Sequence, residues 1–358
     1  VKETIRLASS NELEQWDTLL AENPGGESFF QQSTFITFKS KQAISPWEPR
    51  YIVHTLASGR KVYASYLVKH IALCGTYWYA PSGPRVAEIA QCNEIIQQIK
   101  AFDKTCFSIV IEPPVFVVSK NEGNALRANI PNARKITAVQ PNVHTVMVDL
   151  TVGVEERMQQ LKQRTRRALR QAEKESVRVE NVSPSRENLD LFFAMYKETS
   201  ERAGFYIRTE DYYREFWKTY IDKNQLSLFF AYNKEDRLIA AIIVLHTSSI
   251  ALYKDGASIR GGELTKGTLH YLQWSVMQWL EEAGVKQYDL HGTPPSWQLD
   301  DPAHRQHGLG VFKTSFGEVT DTLGGVQITV KPLQQKLWDY FLKKLYFTYS
   351  SKKGGYFY

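Results

Sequence analysis

The chain is poor in cysteine and has no long apolar run and no strong charge of one sign. Three cysteines, Cys74, Cys92 and Cys106, show no CxxC spacing and cannot all pair. That argues against a disulfide scaffold and a zinc cluster, and predicts buried thiols in a reducing compartment. The longest uninterrupted apolar run is LIAAIIVL at 238–245, far short of the roughly 20 residues a spanning helix needs, and no charged-then-apolar leader opens the sequence. The expectation is a soluble, cytosolic protein. No GxSxG or comparable nucleophile signature occurs, so covalent catalysis has no support. His304 and His307 in HRQH have a spacing of three but no convincing third ligand in their Pro/Asp-rich loop, which argues against a metal site.

What is present suits a globular chain. At 358 residues, with 43% hydrophobic and 13% aromatic residues, there is material for roughly two domains with real cores. The net charge of +6 permits a polyanionic partner without demanding one.

The pattern of elements occurs twice. NELEQWDTLLAEN and residues 33–42 read as helices. RYIVHTLA, KVYASYLVKH and IALCGTYWYAP then read as an antiparallel meander, followed by a helix at 87–103 and the strand CFSIVIEPP. The second half offers helices at 152–175, 186–203 and 209–222, and the strands LSLFFAYN, RLIAAIIVLH and IALYKDGAS. A helix at 265–283 and the strand QYDLHG complete it. Meander, crossover helix and returning strand form the core of the acetyltransferase-type fold. The predicted class is therefore α/β (α+β): two tandem acetyltransferase-like (GNAT) domains with mixed, largely antiparallel sheets flanked by helices. The boundaries fall at 1–145 and 146–319, with 320–358 returning to the first domain.

Coenzyme A does not fit this pair. A pyrophosphate loop before the helix at 265 needs glycine four positions into the run from Arg260, and SIRGGELTKGTLH has Glu263 there, a carboxylate that would repel phosphate. The segment EERMQQLKQRTRRALRQAEKES is more informative. Met158, Leu161, Ala168, Leu169 and Ala172 share one helical face, while Lys162, Arg166, Arg170 and Lys174 recur on another, thickened by Arg164 and Arg167. Acids lie only at the two ends, so the stripe suits a polyanion, with nucleic-acid phosphates the leading candidate. The C-terminal KLWDYFLKKLYFTYSSKK is amphipathic and basic; it reads as a helix packed on the first domain or one laid on a membrane surface, and the two readings are compatible.

HGLGVFKTSFGEV at 307–319 sets a lysine, Lys313, inside an apolar run. An ammonium there either escapes to water, as from a strand, or meets negative charge. Arg202, near Gly204 at a helix end, suits the helix dipole whatever its function.

Several segments in this order resemble the Fem family of bacterial peptidoglycan peptidyltransferases, in particular FemX-like members without a coiled-coil arm. They are FFQQSTFITFK, YAPSGPR, IEPP, the arginine-rich helix after VQPNVHTVMVDL, ERAGFY, YKDGAS, LQWSVMQWLEEAGVKQYDLHG and GVFKTSFG. The resemblance covers nearly the whole chain. It implies a non-ribosomal peptidyltransferase that moves an amino acid from aminoacyl-tRNA to the stem-peptide amine of a peptidoglycan precursor. The acceptor would be UDP-MurNAc-pentapeptide or lipid II, and the product an interpeptide bridge. It also implies two domains without coenzyme A. With no cofactor expected, the chain reads as a cytoplasmic monomer, since two domains with their own cleft need no partner, and its C-terminal segment allows a peripheral contact with the inner membrane face.

Residue by residue, the resemblance implies that Lys313 stabilises charge developing at the tRNA ester. It gives Lys39 and Arg202 a diphosphate, with Lys41 as competitor because Phe35 replaces the usual tryptophan, and sets Tyr206 against the nucleotide or sugar. Tyr253 would line the acceptor cleft, and Glu112 would contact the incoming amine unless it forms a strand-end salt bridge. Lys162, Arg164, Arg166, Arg167 and Arg170 would hold tRNA. Asp289 is read as structural, and no role extends to His291. The alternatives are an aminoacyl-tRNA–protein transferase, a noncatalytic tRNA-binding module on the same fold, and a small-molecule acyltransferase.

Overall fold

Strands form where β-branched and aromatic residues run together, and capping residues set where helices begin. The computed structural model describes residues 3–41, 47–140, 143–261 and 264–352. A short strand β1 (Ile5–Leu7) leads into helices α1 (Ser10–Glu14), α2 (Trp16–Leu20) and α3 (Ser33–Ser40). Ser9 and Glu12 close a reciprocal cap at the start of α1. Strands β2 (Glu48–Thr55), β3 (Lys61–Ile71) and β4 (Gly75–Ala80) form the antiparallel meander. Helix α4 (Ile89–Phe102) then crosses to β5 (Cys106–Ile111), parallel to β4. Helix α5 (Lys120–Ala128) and β6 (Ala133–Lys135) follow.

The same order returns after β7 (His144–Asp149), α6 (Val154–Gln160), α7 (Gln163–Lys174), β8 (Arg178–Val182), α8 (Arg186–Ala203) and α9 (Glu210–Ile221). Strands β9 (Leu226–Tyr232), β10 (Leu238–His246) and β11 (Ile250–Ser258) form a second antiparallel meander. Helix α10 (Thr268–Glu282) crosses to β12 (Gln287–Asp289), parallel to β11. Then come α11 (His307–Lys313), β13 (Val319–Asp321), β14 (Val326–Thr329), α12 (Pro332–Leu337) and α13 (Lys343–Lys352), the last two joined by a π-helical turn over Trp338–Leu342.

The chain divides into two compact units, one of residues 1–143 and 321–358, the other of residues 144–320. The first holds a seven-stranded sheet ordered β1-β2-β3-β4-β5-β14-β6, in which β14 is antiparallel to both neighbours. The second holds seven strands ordered β13-β7-β12-β11-β10-β9-β8. Each is the mixed, largely antiparallel sheet with flanking helices expected of an acetyltransferase-like unit. Tyr66, Trp78, Ile95, Ile99 and Ile109 are among the core of the first; Leu169, Ala240, Leu272, Met277 and Tyr288 are among that of the second. Both cores are continuous apolar clusters, the dominant stabilising term for units of this size.

Two expectations change. The single helix at 152–175 is two helices, because Leu161 and Lys162 take extended backbone (ψ 141 and 147) and turn Leu161 into the core. Residues 307–313 are helical, so Lys313 does not leave a strand for water, one of the two alternatives open from the sequence. Gly310 lets that short helix approach Pro294 so closely that a Cβ would lie 2.8 Å from its Cδ. Glu263 and the last residue of the predicted 33–42 helix, Gln42, lie outside the described residues.

Candidate active site around Lys313

Lys313 is the last residue of α11 and is only 4% exposed. Phe312 and Phe316, which flank it, pack against the His270 ring of α10 at 5.0 and 5.8 Å between centroids. The ammonium lies elsewhere: it donates to the main-chain carbonyls of His291 and Gly292, the latter at 2.8 Å. Its nitrogen is 5.4 Å from the centre of the Tyr253 ring. Two of three N–H groups are thus used, and among the described residues the third has no acceptor. Burial pushes its pKa down to about 7, an effect that Asp289 partly opposes.

The turn that receives the lysine is built for it. β12 ends at Asp289, whose Oδ1 accepts from the Thr145 hydroxyl and, at 2.7 Å, from the His291 N–H. That clasp holds His291 and Gly292 at positive φ, 56° and 39°, with their carbonyls on Lys313. Strands β11 and β10 slip register beside it: Val244 pairs with Tyr253 and Ile243 with Asp255, leaving Lys254 unmatched in a bulge. Tyr253 fits there because Gly256 has no side chain; a Cβ would come within 1.9 Å of the Tyr253 hydroxyl oxygen.

The basic helix starts next to this site. The hydroxyl of Thr165 in α7 donates to the Ser315 carbonyl at 3.4 Å, two residues beyond Lys313. Thr165, Leu169 and Ala172 are buried, which leaves Lys162, Arg164, Arg167 and Arg170 exposed, while the half-buried Arg166 donates to the Gln159 carbonyl at 3.0 Å. Lys162 and Arg164 also line an open cleft of about 690 Å³ whose other walls include Val311, Thr314, Asp300 and Glu318. At the other end, α10 begins at Gly267, where a Cβ would meet the Ala168 carbonyl at 2.1 Å, so the backbone of α7 covers that helix start. His304 and His307 make bonds within their own loop: the His304 Nδ1 accepts from the Gln306 N–H, and the His307 ring meets the Leu299 carbonyl.

The remaining sequence candidates are spread over both units. Arg202, in the last turn of α8, is exposed and donates to the Ser258 carbonyl at 3.1 Å; Tyr206 follows at 76% exposure. In the first unit Lys39 is buried, 5.9 Å from the centres of both the Phe35 and Phe38 rings, while its competitor Lys41 is exposed. Glu112 is also buried, and all four acceptor positions of its carboxylate are taken: Tyr79 and Ser82 on Oε2, Val139 and Gln140 on Oε1. No salt bridge holds it among the described residues. The geometry makes it a clasp between the 79–82 turn and the 139–140 segment rather than an oxygen open to an amine. Gln31 joins the same region, donating to the Ser65 and Pro81 carbonyls at 3.1 and 2.7 Å. FFQQS, YAPSGPR and IEPP therefore converge on one joint.

Sequence reasoning missed Lys69. It is buried in β3 with its nitrogen 4.3 Å from the centre of the Trp47 ring, and burial lowers its pKa to about 8. The available signal was a lysine within a strand too apolar to alternate.

Residues 131–242 match the model of the FemAB family. The resemblance to the Fem family holds. A crystal structure of FemX has 18% identity to this Fem-like chain, covers 94% of it and 99% of its own length, and superposes with a TM-score of 0.73, a shared fold. L-PGS from Bacillus licheniformis (14% identity, 93% and 96% coverage, TM-score 0.49) is too distant in structure to support an argument. No curated protein matches the sequence. The family match covers under a third of the chain, and the FemX likeness shows a shared fold. Among the described residues, no helix is long and apolar enough to cross a membrane.

Proposed function

We propose that this Fem-like chain transfers an amino acid from aminoacyl-tRNA to the stem-peptide amine of a peptidoglycan precursor, either UDP-MurNAc-pentapeptide or lipid II. The observation that carries the reading is Lys313, a buried cation beside a stripe of arginines with, among the described residues, one N–H unspent. In the reaction the amine nitrogen attacks the ester carbonyl, a C–N bond forms, and the C–O bond to the terminal ribose breaks. The amine loses a proton and the departing ribose oxygen gains one. Negative charge gathers on the carbonyl oxygen in between, and a desolvated ammonium is a strong stabiliser of it. Because the ester arrives activated, positioning and charge stabilisation are sufficient work for the protein.

Lys162, Arg164, Arg167 and Arg170 would carry the tRNA phosphates, with Arg166 turned partly to the helix break. Tyr253, under the ammonium, would wall the acyl site. Lys39, in the first unit, and Arg202, in the second, each stay proposed as a phosphate ligand, and Tyr206 as a contact of the nucleotide or sugar. Glu112 enters only as a support.

The test is transfer of radiolabelled glycine, alanine or serine from charged tRNA to each acceptor in turn. Labelled precursor is the expected product. An absence of transfer to both acceptors from all three tRNAs would overturn the reading.

A further inference from the structure

The C-terminal helical run of the first unit is half anchored and half bare. Trp338 is 1% exposed and packs against Tyr77, Phe107 and Tyr346, with ring centres 5.9, 6.4 and 5.6 Å away. With Gln335 it forms the inward stripe. On the remaining surface Leu333, Tyr340, Phe341, Leu345 and Tyr349 are all more than half exposed. Lysines are interleaved with them: Lys336, Lys343 and Lys344 are exposed, and Lys343 sits 5.9 Å from the centre of the Phe347 ring. The one acid of the run, Asp339, is paired with Arg134 at 2.7 Å.

A third exposed leucine comes to the same place from far away in sequence. The β3–β4 turn places Leu73 at 83% exposure and at φ +66, a conformation that favours glycine or asparagine. Its neighbour Cys74 contacts the Gln334 carbonyl at 3.4 Å, next to Leu333. A large apolar side chain held in an unfavourable conformation, packing on little, is unexplained by the fold.

We infer that this surface docks on an anionic lipid bilayer. The leucines offer nothing to a phosphate or a base, which argues against nucleic acid. The lysines would repel their own kind across a symmetric contact, which argues against a second copy. Apolar tips to enter the headgroup boundary, aromatic rings at its level and lysines to meet anionic headgroups are together what a lipid surface binds. Docking of this kind would hold the chain at a surface where lipid-linked acceptors are found; the docking itself does not depend on the transfer chemistry.

The full chain should co-sediment with vesicles of phosphatidylglycerol and phosphatidylethanolamine, more weakly as salt rises, and hardly at all with phosphatidylcholine. Phe341→Ser with Leu345→Ser, and separately Lys343→Glu with Lys344→Glu, should each weaken partition by at least about tenfold. Leu73→Asn should weaken it less. These side chains are exposed, so the thermal unfolding midpoint should not fall in any variant, and Leu73→Asn, which suits the positive φ, should if anything raise it. No binding to the anionic vesicles at low salt would overturn the inference, as would equal binding by wild type and variants. So would a dimer in sedimentation velocity that Phe341→Ser with Leu345→Ser disperses without any vesicle binding. None of these readouts uses tRNA or acceptor, so failure here leaves the transfer reading standing.

Discussion

Lys313 is held at the expense of stability. Two carbonyls accept from it, but burial still draws its pKa from 10.5 to about 7. A folded value below the unfolded one means the charged form opposes folding. The penalty is therefore full below about pH 7 and disappears as pH rises toward 10.5. Lys313→Met should raise the unfolding free energy at pH 6 by about 1–3 kcal/mol, and by progressively less above neutrality, as denaturant titrations at several pH values will show. A loss of stability would mark the lysine as structural. The residue was legible because an ammonium in an apolar run is conspicuous. Asp289 reads from the sequence as structural, but the His291 and Gly292 carbonyls that receive the ammonium are main-chain groups, which side-chain identities do not announce. Glu112 was legible as an unusual strand-end carboxylate, but four donors drawn from residues 79–140 are visible only once folded.

At the scale of elements, the bulge in β11 and the break between α6 and α7 shape the site. Gly256→Ala leaves the backbone allowed but drives a methyl into the Tyr253 hydroxyl, 1.9 Å away, and so moves the ring under Lys313. Transfer should fall by about tenfold to a hundredfold with tRNA affinity unchanged; an unaffected rate would remove Tyr253 from the site. Arg167→Glu with Arg170→Glu should weaken tRNA binding and flatten its dependence on salt by about two units of log–log slope, measured by filter binding across a salt series. An unchanged slope would make the stripe a solvated surface. The break at Leu161 carries no glycine or proline to announce it; the extended backbone of Leu161 and Lys162 shows only in the folded chain. Likewise the helix over residues 307–313, with Gly310 close against Pro294, was not read from the sequence.

At the scale of the molecule, the two crossovers were readable because each joins a long meander to a long amphipathic helix. The strands missed were three- to five-residue pieces such as β1, β6, β8 and β13, too short for a period to show. Both units share an acid liability. His54 in the first bonds Gln98 and Tyr66 and is pushed down to about 4 by burial; His291 in the second lies well below its usual range. Depressed folded values mean the unfolded chain takes up protons first, so stability falls as pH drops from about 6.5 toward 4. Calorimetry over that range should show a falling midpoint; His54→Gln should blunt the fall in the first unit, and a flat profile would contradict the buried neutral histidine.

The most direct test is aminoacyl transfer by wild type and Lys313→Met across pH, with tRNA and acceptor binding measured alongside. The account predicts that the variant binds both substrates but transfers almost nothing, and that wild-type transfer declines above about pH 7 as the ammonium is lost. A variant that transfers at the wild-type rate, or a wild-type rate that climbs through pH 7, would contradict the role of Lys313 as the cation that stabilises the oxyanion.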